Sequence, residues 1–212
     1  MQPNEYINAA RVPESIKAQA FGLWRIEKRD VDDSAAKLPA RAAQDLKEYV
    51  GFQTYTLLFR ISIKTLHTQP EGEVVMDDSL LELRRHLPIW IPAAGRILIS
   101  GLGLGCVARG LQAKPEVEHL TIVEVDSAIL ERIGPEFERD PRIRLIHGDA
   151  LKVNLTGERF DYAWHDIWTE GPKHLHLLHA ELMAKFRDQV DHQGAWRFPR
   201  FVKRRLPAKY LR

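Results

Sequence analysis

The sequence predicts an α/β fold, a doubly wound parallel sheet preceded by an N-terminal helical segment and β-hairpin, on three observations. The stretch Arg96-Ile-Leu-Ile-Ser-Gly-Leu-Gly-Leu-Gly105 passes from a short apolar run into three alternating glycines and then into residues able to start a helix. Two later apolar runs end in acid, Leu120-Thr-Ile-Val-Glu124-Val-Asp126 and Ile146-His-Gly-Asp149-Ala150. From Arg96 onward strand patterns alternate with helical ones, which requires a parallel sheet with helices on both faces, joined by right-handed crossovers.

In chain order, residues 1 to about 50 read as helical and partly packed, with interruptions at Pro13, the Asp30 to Asp33 charge cluster and Pro39. Tyr55 to Thr65 is rich in β-branched and aromatic residues, and after the turn-like Gln69-Pro-Glu-Gly72 the run Glu73-Val-Val-Met76 reads as its partner strand. Ser79-Leu-Leu-Glu82 has capping-box spacing, so a helix begins there, and Pro88 and Pro92 end it. The core follows: strand 96–100, helix from Cys106 to about Ala113, strand 119–124, helix from Ser127 to about Ile133, then strands 143–147 and 160–166. A long helix is expected from about Lys173 to Val190, since Leu175, Leu178, Leu182, Met183, Phe186 and Val190 share one face, and a final strand within Ala195 to Phe198.

Composition narrows the function classes. At 212 residues, 44% apolar and 28% charged, the chain has the make-up of a globular domain with an elaboration. It shows neither a long apolar run nor a charged-then-apolar leader at Met1, so the expected location is cytoplasmic, with no membrane partner. A lone cysteine, Cys106, excludes an internal disulfide and a cysteine-cluster metal site. The net charge of +2 implies no nucleic-acid partner by itself.

An open parallel sheet binds its ligand beyond the carboxyl ends of the strands, where connections leave in opposite directions. Gly101, Gly103, Gly105, Glu124, Asp149 and Asp166 all fall there. Glu124, ending the second core strand, can accept both hydroxyl protons of a ribose, and Asp149 can accept from the exocyclic amine of adenine. Asp126, just before Ser127, is better read as a helix cap. Cys106 stands where a dinucleotide fingerprint wants its third glycine, no basic side chain follows for phosphate, and no Gly-Lys-Ser/Thr follows for a Walker loop. A ligand without phosphate, carrying adenosine and a charged tail, suits these residues.

The region from about Val75 to Phe198 resembles the class I S-adenosylmethionine-dependent methyltransferase fold, and within it the spermidine synthase-like branch. The matching residues are Ile97 to Gly105, Val123-Glu124-Val-Asp126, His147-Gly-Asp149-Ala150 and Phe160-Asp-Tyr-Ala-Trp-His-Asp166. The resemblance implies S-adenosylmethionine as cofactor, held by Gly101, Gly103, Gly105, Glu124 and Asp149, with Asp166 as catalytic base. It also divides the chain into an N-terminal segment and hairpin (1–78), a cofactor-binding Rossmann-like core (79–199) and a basic tail (200–212). The chain departs from the pattern of the branch in part: Asp166 and Gly171-Pro172 match, but Thr169 stands in place of a second acid and Leu104 in place of an acid in the loop. The Tyr-His-Glu run expected ahead of the first strand is absent from Leu83-Arg-Arg-His-Leu87. Polyamine synthesis is therefore disfavoured against methyl transfer to an unknown substrate, and a non-catalytic binding or assembly module is the third reading.

Methyl transfer needs alignment of a nucleophile and, where required, removal of its proton, which Asp166 can do alone. His165, next to it along a strand, points to the other face and reads as a histidine packed under a helix. Trp164 reads as core, and Trp168, beyond the strand end, as either a core aromatic or a stacking wall for a planar substrate; Asp166-Ile-Trp168 lacks the prolines of nucleic-acid amino-methyltransferases. His174, His176 and His179 have no companion ligands, so no metal site is assigned. The tail from Trp196 to Arg212 interleaves basic and aromatic residues, which would suit a phosphate backbone, although such tails are more often solvated. Two further strands do not fit after Phe198, so the sheet is expected to be truncated, its edge covered by the hairpin, the tail or another subunit of a homo-oligomer.

Overall fold

The computed structural model describes residues 1–61, 72–167, 175–196 and 202–203. The chain opens with α1 (Pro3–Ala10), β1 (Gln19–Phe21), β2 (Trp24–Asp30), α2 (Val31–Ala35), α3 (Ala40–Val50), β3 (Thr54–Arg60) and β4 (Glu73–Asp77). Next come α4 (Leu80–Arg84), α5 (Leu87–Trp90), β5 (Gly95–Ser100), α6 (Cys106–Gln112), β6 (Val117–Glu124) and α7 (Ser127–Ile133). A 3₁₀ turn, β7 (Ile143–His147), β8 (Phe160–His165), α8 (Leu175–Lys185), β9 (Val190–Ala195) and β10 (Val202–Lys203) complete it.

Two sheets result. The larger has the order β10-β9-β8-β5-β6-β7, with β5 to β9 all parallel and β10 antiparallel to β9. Alternation along each strand feeds a separate core on each face: Ile97, Ile99, Leu120, Ile122 and Trp164 point to one, Leu98, Val123 and Ala163 to the other with Leu182 of α8 and Phe186 just after it. The α/β class and the two-sided burial expected of Ile97 to Ile99 are thus present. Successive strands run outward from β5 through β6 to β7, then return to its other side as β8 and β9, so the direction reverses between β5 and β8.

The smaller sheet is antiparallel, in the order β1-β2-β3-β4. The hairpin of β3 and β4 lies where the sequence placed it. Reading residues 1–50 as helical needs correction, because Gln19–Phe21 and Trp24–Asp30 are strands. Trp24 and Ile26 are buried while the charged residues between and after them are part-exposed, a half-buried strand concealed by its charge. Asp30 is no mere interruption: its carboxylate accepts from the N–H groups of Asp32 and Asp33 and caps α2. Pro88 sits in the first turn of α5 rather than ending a helix. The helix expected to reach Val190 is shorter, since α8 stops at Lys185 and Val190 opens β9, which replaces the strand expected within 195–198. At the edge expected to be truncated, Val202–Lys203 forms a two-residue strand opposite His192 and Gln193.

Buried Asp78 ties the N-terminal segment to the antiparallel sheet. Its carboxylate accepts from Val12 N at 3.1 Å and Thr56 N at 2.6 Å, with Arg11 3.6 Å away, joining the segment after α1, strand β3 and the entry to α4. Trp24 Nε1 donates to Asp126 Oδ2 at 2.8 Å, which pins β2 to the start of α7. The larger core runs without a break from Tyr6 to Trp164.

Candidate functional site

A cavity of about 460 Å³ lies at the carboxyl ends of the parallel strands. Its floor is the glycine loop with Glu124, Asp149 and Asp166; its roof is Trp24, Leu58, Arg60, Val75 and Met76 from the antiparallel sheet. Gly101, Gly103, Glu124, Asp149 and Asp166 all line it, whereas Gly105 does not. Gly105 instead takes a left-handed conformation (φ 80°) at the start of α6.

The loop must be glycine because of what it touches. At Gly101 (φ 93°) a Cβ would come within 2.1 Å of the Asp166 carbonyl oxygen, and at Gly103 (φ 51°) within 2.8 Å of Met76 Sδ. Four loop N–H groups are already committed inside the protein. Gly101 donates to Val123 O, Leu102 to Glu124 Oε2, Leu104 to Met76 Sδ and Gly105 to Leu102 O. A pyrophosphate is held by loop N–H groups pointing at it, so this loop is shaped for backbone proximity rather than phosphate.

Glu124 is 8% exposed. Its Oε2 accepts from Leu102 N at 2.7 Å and its Oε1 from Asp126 N at 2.9 Å. These bonds fix the carboxylate at the cavity wall and leave lone pairs on each oxygen for ligand hydroxyls. Asp126 caps α7 through Ala128 N and Ile129 N, as its position before Ser127 indicated. Asp149 Oδ1 accepts from Leu151 N and Oδ2 pairs with Lys152. Burial pushes its pKa up, but that bond and that cation outweigh it and hold the pKa below the usual value.

Asp166 lies just past β8, its N–H bonded to Ser100 O at 2.8 Å across the reversal between β5 and β8. Burial, and then the negative charge of Glu82, push its carboxyl up to about 7. A carboxyl titrating near neutrality and facing a cavity is suited to general-base work. His165, by contrast, is fully buried, with Nδ1 2.9 Å from Ser100 Oγ and its ring stacked on Phe186, just past α8. Burial takes its pKa down to about 4, and it does not reach the cavity. Trp164 is 2% exposed and belongs to the core. Cys106 is wholly buried, and burial pushes its thiol up to about 12, which leaves no thiolate for nucleophilic chemistry.

Sequence reasoning passed over Glu82. Ser79 does cap α4, its Oγ accepting from Glu82 N, but the Glu82 carboxylate completes no capping box. It turns into the cavity, where Arg85 and Trp196 Nε1 donate to it, and burial raises its pKa. Its spacing from Ser79 was the only signal in the sequence, and a cap accounted for it. Met76, Trp24 and Arg60 were likewise invisible as site residues, because only the packing of the second sheet brings them over the loop. Trp168, Thr169, Gly171-Pro172, His174 and nearly all of the basic tail fall outside the described residues. Among the described residues no group of three His, Cys, Asp or Glu side chains could hold a metal ion, and no helix is long and apolar enough to cross a membrane.

No protein-family model matches the chain. Part of it is similar to polyamine aminopropyltransferases: 37% identical over 93 residues to that of Agathobacter rectalis, covering 39% of this chain and 33% of the relative. It is 35% identical over 89 residues to polyamine aminopropyltransferase 1 of Pseudomonas aeruginosa, covering 38% and 31%. The chain thus matches about a third of the length of these curated relatives. Among solved structures it overlaps the CcbJ methyltransferase from Streptomyces caelestis (TM-score 0.42, 20% identity, 52% of this chain and 47% of that one). It also overlaps the N-methyltransferase NodS from Bradyrhizobium japonicum, in complex with S-adenosyl-L-homocysteine (TM-score 0.42, 18% identity, 54% and 60%). The resemblance drawn from the loop and strand-end motifs to the spermidine synthase-like branch thus has a counterpart in the partial similarity to polyamine aminopropyltransferases.

Proposed function

We propose that the chain is a transferase that binds S-adenosylmethionine over the Gly101 to Gly105 loop and passes its methyl group to a nucleophile beside Asp166. One observation carries this reading: Asp166, the fixed carboxylate of Glu124 and a glycine loop with four of its N–H groups already bonded inside the protein share one cavity. The cofactor, when bound, supplies an electrophilic carbon on a sulfonium that leaves as a neutral thioether. Glu124 accepts from its ribose hydroxyls and Asp149 from its adenine amine. Leu58, Val75, Met76 and Val107 present apolar walls that keep water from the reacting carbon. Asp166, once ionised, takes the proton of the nucleophile, help of a kind typically worth about a hundred- to ten-thousandfold in rate.

Aminopropyl transfer is the second reading, supported by the local similarity to polyamine aminopropyltransferases and by Glu82, a second carboxylate in the cavity that suits a cationic amine. Leu104, where that branch carries an acid, speaks against it. Incubation of the protein with S-adenosylmethionine, or with its decarboxylated form, and a panel of amines, followed by product mass, separates the two. A methyl adduct that drops at least a hundredfold in Asp166→Asn is expected. An aminopropyl adduct would install the second reading, and no adduct from either donor would leave a binding module.

A further inference from the structure

His86 sits against the cavity without lining it. It precedes α5, is wholly buried, and lies between two indoles, 5.4 Å from the Trp90 ring and 6.0 Å, edge-on, from that of Trp164. Neither ring nitrogen has a hydrogen-bond partner among the described residues. Buried polar atoms left unmatched are costly, and a phenylalanine or leucine would fill this space without that cost. What distinguishes an imidazole here is its aim: Nε2 lies 3.9 Å from Asp166 Oδ2.

We propose that His86 is a positioning residue for Asp166, its Nε2–H donating to Oδ2 so that Oδ1 is left to face the nucleophile. The inference rests on the reading of Asp166 as the base. The separation exceeds hydrogen-bond length by about 1 Å, a gap that a small rotation of ring or carboxyl closes. The imidazole stays neutral, because burial, and then the adjacent Arg85, hold its pKa down to about 3. It therefore keeps one N–H to give. Of the ionisable groups at this corner, Glu82 and Arg85 come from α4 and its end, and Asp166 from the end of β8; Trp90 and Trp164 bring none. A donor to the carboxylate favours its ionised form and opposes what burial and Glu82 do to it.

The test needs no turnover. In the full chain without added ligand, the protonated Asp166 carboxyl is followed by its infrared C=O band, identified as the band lost in Asp166→Asn, across pH 4 to 9. His86→Phe is expected to raise the midpoint by about one unit or more, from the loss of a hydrogen bond to a charged group. His86→Gln, whose amide can reach the same position, is expected to restore most of the shift. His86→Leu replaces the phenylalanine variant if that one does not fold. A midpoint unmoved in the apolar variant would overturn the proposal and leave His86 a packing residue. Where an acceptor is known, the acid limb of kcat/KM should move with the band. Failure to find any acceptor bears on the transferase reading alone, since the titration is read without one.

Discussion

Asp166 sits near neutrality because the protein removes its carboxyl from water and sets Glu82 near it. A native carboxyl raised from 3.8 to about 7 keeps a proton that the unfolded chain has released, so stability falls as pH rises between those values. Below about 4 nothing is lost; above about 7 the full penalty applies. Asp166→Asn should therefore match wild type at pH 4 and exceed it by about 2–4 kcal/mol at pH 8, read from denaturant unfolding at the two pH values. A constant difference across pH would mean that the carboxyl is not strained. The same residue shows what one sequence reveals at this scale. The end of an apolar run fixes which acids reach the ligand edge of a parallel sheet, so Glu124, Asp149 and Asp166 were legible. The direction in which Glu82 turns, and the closeness of His86 to Asp166, arise from packing between α4, α5 and β8 and leave no periodic trace.

Strands β5 to β8 could be placed because an apolar run ending in glycine or acid fits little besides a buried strand meeting the ligand edge of its sheet. Strand β2 could not, since Arg25, Glu27, Lys28 and Arg29 mask the inward pair Trp24 and Ile26. The boundary between α8 and β9 was missed for another reason. Phe186 and Val190 are buried in both readings, and no glycine or proline marks the turn between Lys185 and Val190. How the segment after α1, strand β3 and the entry to α4 hold together depends on Asp78, a residue no motif singles out. Asp78→Ala strips buried acceptors from the N–H groups of Val12 and Thr56 and is expected to cost about 3–5 kcal/mol. Asp78→Asn keeps one acceptor oxygen and should lose roughly half as much. Unfolding midpoints check both, and a loss below about 1 kcal/mol in the alanine variant would show that these segments hold together without it.

Over the whole molecule, the reversal between β5 and β8 gathers the glycine loop, Glu124 and Asp166 at one edge, and the antiparallel sheet roofs them with apolar side chains and Arg60. That arrangement, with four loop N–H groups bonded inside the protein, favours an adenosine ligand without phosphate over a dinucleotide. Calorimetry on the full chain with S-adenosylmethionine, its decarboxylated form, S-adenosylhomocysteine and NAD tests this most directly. Saturable binding of S-adenosylmethionine or S-adenosylhomocysteine is expected, with none of NAD. Glu124→Ala, deprived of two charge-assisted hydrogen bonds, should bind about 30- to 1000-fold more weakly while remaining folded. Binding of NAD in preference to every S-adenosyl compound, or an affinity unchanged in folded Glu124→Ala, would contradict the assignment.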